Sequence, residues 1–341
     1  MTEHEIRTCV ELEPPPEDST DILKALGTAH ISEAALVRLK KWVPGQTLRV
    51  HFLDGDPAVQ AKVARVARQW TVYANIKFAF VQDESAEIRI SFEQDGSWSY
   101  IGTDARGIWR GRPTMNYGWL TPTSSDVEYA RVVLHEFGHA LGLIHEHQNP
   151  DVDIPWDKEA VYSYYQGPPN NWSRSQVDTN LFRVYSASST NFSAFDRESI
   201  MLYPVANEFT IGDFEVGWNR HLSPDDKLFM TRQYPFPGIH LRLDEEPYSA
   251  AVSEFGEIDT YYFFVEEQGT YRIETGGRTD LVLLLYGPND SQQFIALDDD
   301  SGRRLNPKLI RDLGPGRYMA RIHHFSQQRT GDYSIVVQRE E

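Results

Sequence analysis

Three histidines and a glutamate crowd the stretch His135-Glu136-Phe137-Gly138-His139-Ala140-Leu141-Gly142-Leu143-Ile144-His145-Glu146. Residues four apart on a helix share a face, so His135 and His139 present their imidazoles one turn apart. Glu136 then falls beside a metal held by that pair, where a carboxylate can take a proton from an attacking water. Gly142 tolerates the backbone conformation that ends a helix and turns the chain back. His145, three residues further on, reaches the ion from the opposite side. Three neutral imidazoles leave one position of a tetrahedral Zn2+ open, which separates catalytic from structural zinc. The chemistry expected is hydrolysis.

An H-x-x-x-H pair alone is common on ordinary helices. The glutamate, the glycine and the third histidine make this one specific. Its helix is well specified: Ala130, Val133, Leu134, Phe137, Ala140 and Leu141 recur at three- and four-residue spacing, which marks one apolar face. Ser124, Ser125 and Asp126 offer N-caps. Downstream, Ser199-Ile200-Met201-Leu202-Tyr203-Pro204 stands where a metzincin peptidase carries its methionine turn. Met201 is expected as an apolar floor beneath the imidazoles, a place that suits a soft thioether.

These residues resemble the astacin family of metalloendopeptidases, whose zinc motif H-E-x-x-H-x-x-G-x-x-H-E is completed here by Glu146. The methionine turn matches S-x-M-H-Y except at Leu202. Ser97-Trp98-Ser99-Tyr100-Ile101-Gly102 is similar to the family's C-W-S-Y-x-G segment, and Lys41-Trp42-Val43-Pro44-Gly45 to the start of its mature domain. The resemblance covers roughly residues 40–235. It implies zinc on His135, His139 and His145, Glu136 as general base, and Tyr203 as a tyrosine that steadies the oxyanion. It also implies a structural Glu146 that holds the N-terminal part of the domain by hydrogen bonds. Two departures stand out: Ser97 replaces a cysteine, and Cys9 is the only cysteine in the chain. No intramolecular disulfide can form, so packing and zinc must hold the domain.

Cys9 lies in a polar tail ahead of the catalytic region. A thiolate is a strong zinc ligand, so the tail can keep the enzyme latent by occupying the open position. At 341 residues, two domains are expected, and 12% aromatic content supplies their cores. A net charge of −17 argues against nucleic acid and anionic membranes as partners; the peptidase resemblance implies protein or peptide substrates, and a monomer is expected. No apolar run is long enough to span a bilayer. The N-terminus has no recognisable signal peptide, whereas the family resemblance implies secretion.

The chain is expected to divide into a tail or pro-segment over 1–40, a zinc peptidase domain over 41–235 and a C-terminal domain over 236–341. Helical spacing runs over 22–40. Strand patterning starts at Leu48, a helix follows over 57–70, and strands follow over 76–81 and 87–92. This order suits an α+β metzincin fold, a mixed sheet plus zinc helix in two lobes. Substrate would lie in the cleft, antiparallel to an edge strand, with Ile88–Phe92 as the candidate edge.

Pro235-Phe236-Pro237-Gly238 reads as a linker. Beyond it, alternating segments over 260–265, 270–273, 281–286, 318–322 and 333–337 predict an all-β sandwich. Gly256-Glu257-Ile258-Asp259-Thr260-Tyr261-Tyr262-Phe263, Leu285-Tyr286-Gly287, Asp298-Asp299-Asp300-Ser301-Gly302 and Gly331-Asp332-Tyr333 resemble the bacterial pre-peptidase C-terminal domain. Asp298, Asp299 and Asp300 are candidate Ca2+ ligands, since hard cations take clustered carboxylate oxygens. The other reading is a solvated turn. A second function class also stands: a latent zinc-binding protein whose sandwich acts as an adhesion or substrate-binding module.

Overall fold

The computed structural model describes residues 10–12, 40–149, 152–168, 170–184 and 195–340. Cys9, the helical spacing up to residue 39 and the rest of the tail apart from 10–12 and 40 lie outside the described residues. The chain divides into two units, one ending at Pro235 and one beginning at Phe236.

The first unit is built on a six-stranded sheet. Its strands are β1 (Val10–Leu12), β2 (Thr47–Phe52), β3 (Lys77–Phe80), β4 (Ile88–Ser91), β5 (Ser97–Tyr100) and β6 (Met115–Tyr117), in the spatial order β1-β5-β6-β4-β2-β3. From β6 to β3 all neighbours are parallel. Strand β5 runs antiparallel to β6, and β1 lies parallel to β5. Parallel neighbours need crossovers, and α1 (Pro57–Ala67) supplies the first one. Asp56 caps it by accepting from Ala58 N at 2.7 Å, and Pro57 holds the first helical position, where its missing N–H costs nothing. The short α2 (Trp70–Tyr73) follows.

The expected edge strand over 88–92 is not an edge. Strand β4 pairs with β2 on one side and β6 on the other, and all four of its residues are buried. The intervening partner β6 is three residues long, too short for its pattern to announce it. The described outer strand on the β5 side is Val10–Leu12.

The zinc-motif helix α3 (Asp126–Ala140) packs its apolar stripe, including Val132, Val133 and Phe137, against Leu48, Val50, Ile88, Ile90 and Trp70 in one core. After the third histidine come α4 (Lys158–Tyr165), α5 (Arg174–Val177) and, past the methionine turn, α6 (Pro224–Gln233). Val161, Tyr162, Tyr165, Trp172, Leu181 and Phe209 form a second core together with Tyr203. Met201 belongs to the first core and Tyr203 to the second, so the methionine turn is shared by two lobes.

The second unit is a β-sandwich. One sheet orders β13 (Lys308–Leu313), β10 (Gly269–Gly277), β15 (Gly331–Arg339) and β8 (Tyr248–Val252). The other orders β12 (Phe294–Asp298), β11 (Leu281–Tyr286), β14 (Gly316–His324), β9 (Asp259–Val265) and β7 (Ile239–His240). Pairing is antiparallel except between β7 and β9. Alternation decides which side is inside: Tyr271, Ile273, Ile335 and Val337 face Leu283, Leu285 and Ile322 in the core. The Tyr261 and Tyr333 hydroxyls bond at 2.7 Å within it, and burial pushes the Tyr261 phenol up to about 12.

Candidate metal centre

Ser125 caps α3, accepting from Glu128 N at 3.2 Å. At the other end, Gly142 takes φ +98°, a value open to glycine and costly for other residues. Gly142 N donates to His139 O at 2.8 Å and Leu143 N to Gly138 O at 3.0 Å, closing the helix as a glycine C-cap does. Two terminal carbonyls are satisfied from far along the chain. Trp42 Nε1 donates to Ala140 O at 2.7 Å and the Tyr234 hydroxyl to Leu141 O at 2.6 Å. Trp70 Nε1 donates to Leu134 O at 2.9 Å. The helix end that carries His139 and the turn to His145 is thus pinned by buried donors.

His135, His139 and His145 are buried, and one ring nitrogen from each lies within 4.8 Å of the others. Among the described residues no other group of three or more histidines, cysteines or carboxylates is placed to hold a metal. Asp298, Asp299 and Asp300 form no such group. The Asp298 carboxylate is engaged by Ser301 N, Ser301 Oγ and Lys308 N at 2.6–3.0 Å, the chemistry of an Asp turn.

The three imidazoles fit Zn2+. His135 Nδ1 lies 2.8 Å from Ile200 O and His139 Nδ1 2.9 Å from Leu143 O. Those carbonyls accept, so the proton sits on Nδ1 and the lone pair on Nε2. His139 Nε2 and His145 Nε2 face each other at 3.1 Å. His135 Nε2 is buried with no hydrogen-bond partner among the described residues. Burial, reinforced by the neighbouring histidines, holds His135 and His145 well below the usual imidazole range, which keeps them neutral as ligands must be.

Glu136 is fully buried beside His135. Met201 lies under the helix: a Cβ added at Gly138 would meet its Sδ at 2.4 Å. Only glycine allows that approach. The Tyr203 ring stands 5.5 Å from His135 and 4.3 Å from His145, centroid to centroid. Glu146 Oε1 accepts from Asn149 Nδ2 and Asp196 N, each at 3.1 Å, and its own N–H donates to Met201 O at 3.0 Å. Burial pushes its carboxyl up to about 7 against those two bonds.

Two residues of the centre carry no role in the sequence reading. His147 is buried, stacks on His145 at 5.1 Å, and has its Nε2 2.7 Å from Asn180 O. Asp226, also buried, accepts from Ser199 Oγ at 2.7 Å, Ile200 N at 2.8 Å and Ser223 N at 2.9 Å. Ser223-Pro224-Asp225-Asp226 signals a capping box, and that box is present on α6. The second use of Asp226, on the methionine turn, has no local signal.

A family model for the astacin peptidases matches residues 36–214. Among solved structures, myroilysin is 48% identical, with a TM-score of 0.58, and the match covers 59% of this chain and 98% of that one. The pre-peptidase C-terminal domain of a collagenase from Bacillus anthracis is 16% identical over 30% of this chain and 96% of that one, with a TM-score of 0.27. Among curated proteins, the zinc metalloproteinase nas-24 of Caenorhabditis elegans is 26% identical over 177 residues, which is 51% of this chain and 38% of that protein. This chain therefore spans less than half the length of such relatives. With the family model covering more than half of the chain and the three-histidine centre within it, the chain belongs to the astacin family of peptidases.

Proposed function

We propose that this protein is a zinc-dependent endopeptidase that hydrolyses peptide bonds of protein substrates. The observation that carries the reading is the convergence of three buried imidazoles, two of them held neutral by burial, next to a buried carboxylate. His135, His139 and His145 would hold Zn2+, which would supply Lewis acidity toward the scissile carbonyl and a water molecule. Glu136 takes the proton of the attacking water and delivers it to the leaving amine. Tyr203 donates its phenol to the developing oxyanion, a class of contact worth about 3–4 kcal/mol. Glu146 and Met201 support the ligands from behind. The protein acts as a monomer.

Residues 1–40 form a segment that restrains this activity. Val10–Leu12 is paired along Ser97–Tyr100, so it takes up strand-edge hydrogen bonds that an extended substrate would use. Cys9, outside the described residues, immediately precedes that strand, and its thiolate is the proposed latency ligand. Cys9→Ser should raise casein cleavage by the unprocessed chain; equal rates would remove the thiolate from the account.

Casein cleavage and zinc content of the full chain, a 41–341 truncation and Glu136→Ala test the main reading. A truncation that cuts, beside a Glu136→Ala form that holds zinc and is inert, is the expected result. Zinc bound by every form with no cleavage would leave a latent zinc protein whose sandwich does the binding.

A further inference from the structure

The outer face of the four-stranded sheet in the C-terminal unit carries an open cleft of about 590 Å3. Its wall includes Arg272, Arg278, Arg303 and Arg304 against a single acidic residue, Glu274. Arg272 is engaged by Glu274, Glu340 and Gln338. Arg278, Arg303 and Arg304 are exposed, and their side chains have no ion pair or hydrogen bond among the described residues. Three arginines without an ion pair among the described residues therefore meet in one cleft, on a chain whose net charge is −17.

The cleft is built rather than incidental. Asn306, 2% exposed, fastens the arginine-bearing loop to β10, donating to Arg303 O at 2.7 Å and to Gly277 O at 3.2 Å. Gly302 N adds a bond to Asn306 O at 2.9 Å. The floor between the arginines is low, with Gly276 and Ser334 paired across β10 and β15. A Cβ at Gly276 would come within 2.9 Å of Ser334 Oγ. A main chain can therefore lie close to the sheet while its side chains reach the guanidinium groups.

We propose that this cleft is an exosite for an acidic stretch of polypeptide, which grips a protein substrate at a point other than the scissile bond. The substrate half of this proposal rests on the peptidase reading above. A guanidinium is a planar fork that matches a carboxylate bidentately. The volume lies in the ~300–1,000 Å3 range of ordinary ligand clefts, enough for a few residues. A long polyanion such as nucleic acid would meet the repulsion of the whole chain, whereas a short carboxylate cluster is matched locally.

The test uses the full chain carrying Glu136→Gln, so that a bound peptide is not cut, with and without Arg278→Gln, Arg303→Gln and Arg304→Gln together. Binding of fluorescein-labelled hexaglutamate is read by anisotropy, beside hexaglutamine and inorganic phosphate. Hexaglutamate should bind, and the triple variant should weaken it roughly tenfold, as three partly screened ion pairs would. Hexaglutamine should bind neither form. Equal hexaglutamate affinity in both forms overturns the proposal, as does a cleft that takes phosphate but not the peptide. The three side chains are exposed, and an unchanged melting temperature shows that the triple variant is folded. Casein cleavage by the Glu136-containing chain is read separately. Loss of cleavage with hexaglutamate binding intact removes only the peptidase reading, and cleavage without binding removes only the exosite.

Discussion

His135 Nδ1 lies 2.8 Å from Ile200 O, while Ile200 N donates to the buried Asp226 carboxylate at 2.8 Å. Ile200 therefore links an imidazole of the three-histidine group to a carboxylate on α6. The neighbouring Met201 O accepts from Glu146 N at 3.0 Å, next to His145. Asp226 is placed to position the His135 imidazole through Ile200. Asp226→Asn should weaken zinc affinity by roughly 10–100-fold, the usual cost of disturbing outer-shell partners. Zinc release to a chelator measures it. Unchanged affinity would reduce Asp226 to a helix cap.

Gly138 leaves no room for a side chain above Met201 Sδ. Gly138→Ala should destabilise the first unit by about 1–3 kcal/mol through overpacking, despite alanine's better helix propensity. A melting curve that rises instead would show that the methionine floor gives way.

Arg49 joins β2 to the loop before β4, bonding Asp83, Ser85 and Glu87 at 2.8–3.1 Å. Burial raises the Glu87 carboxyl, but hydrogen bonds from the Arg49 side chain and backbone outweigh it and leave the pKa lowered. A depressed carboxylate contributes stability above its unfolded value of about 4.3, and loses it as pH falls through the folded value. Glu87→Gln should therefore cost stability at pH 7, about 0.5–1 kcal/mol once screening at the partly exposed Arg49 is allowed for. The gap from wild type should narrow as the pH falls below about 4.3. Thermal melts across that range decide it, and a gap independent of pH would mean the charge plays no part.

Zinc held only by the folded three-histidine site would stabilise the fold, so its removal should lower the melting temperature as well as stop cleavage. At free zinc of about 100 times Kd the linkage is about 2.7 kcal/mol. Dialysis against a chelator followed by restored zinc should reverse both effects. Cleavage that survives chelation would contradict the mechanism.

The zinc centre is legible in the sequence because its spacing is local: four residues fix His135 and His139 on one face, and Gly142 announces the turn to His145. The sandwich is legible by alternation where the strand is strongly apolar, as in 281–286. Strands 294–298 and 308–313 give no such signal because apolar Leu297 and Ile310 are exposed and Arg311 stands between Leu309 and Leu313 on the buried parity, which blurs the period. The position of 88–92 inside its sheet depends on Met115–Tyr117, more than twenty residues away, so local pattern places it wrongly at an edge. Asp226 reads as a cap for its own helix, and nothing within its turn reveals the bond to Ile200.

The staple between Trp42 and Tyr234 has a kinetic meaning. Trp42 N lies 3.3 Å from the Tyr234 hydroxyl, and that hydroxyl closes Leu141 O from 93 residues downstream. A ribosome adding ~5–20 residues per second covers that distance in roughly 5 to 20 s after the histidine helix is made. During that interval a nascent chain already displays His135, His139 and His145 without the residue that locks their turn. The turn that carries the third histidine thus gains its lock only when the synthesised chain has passed Tyr234.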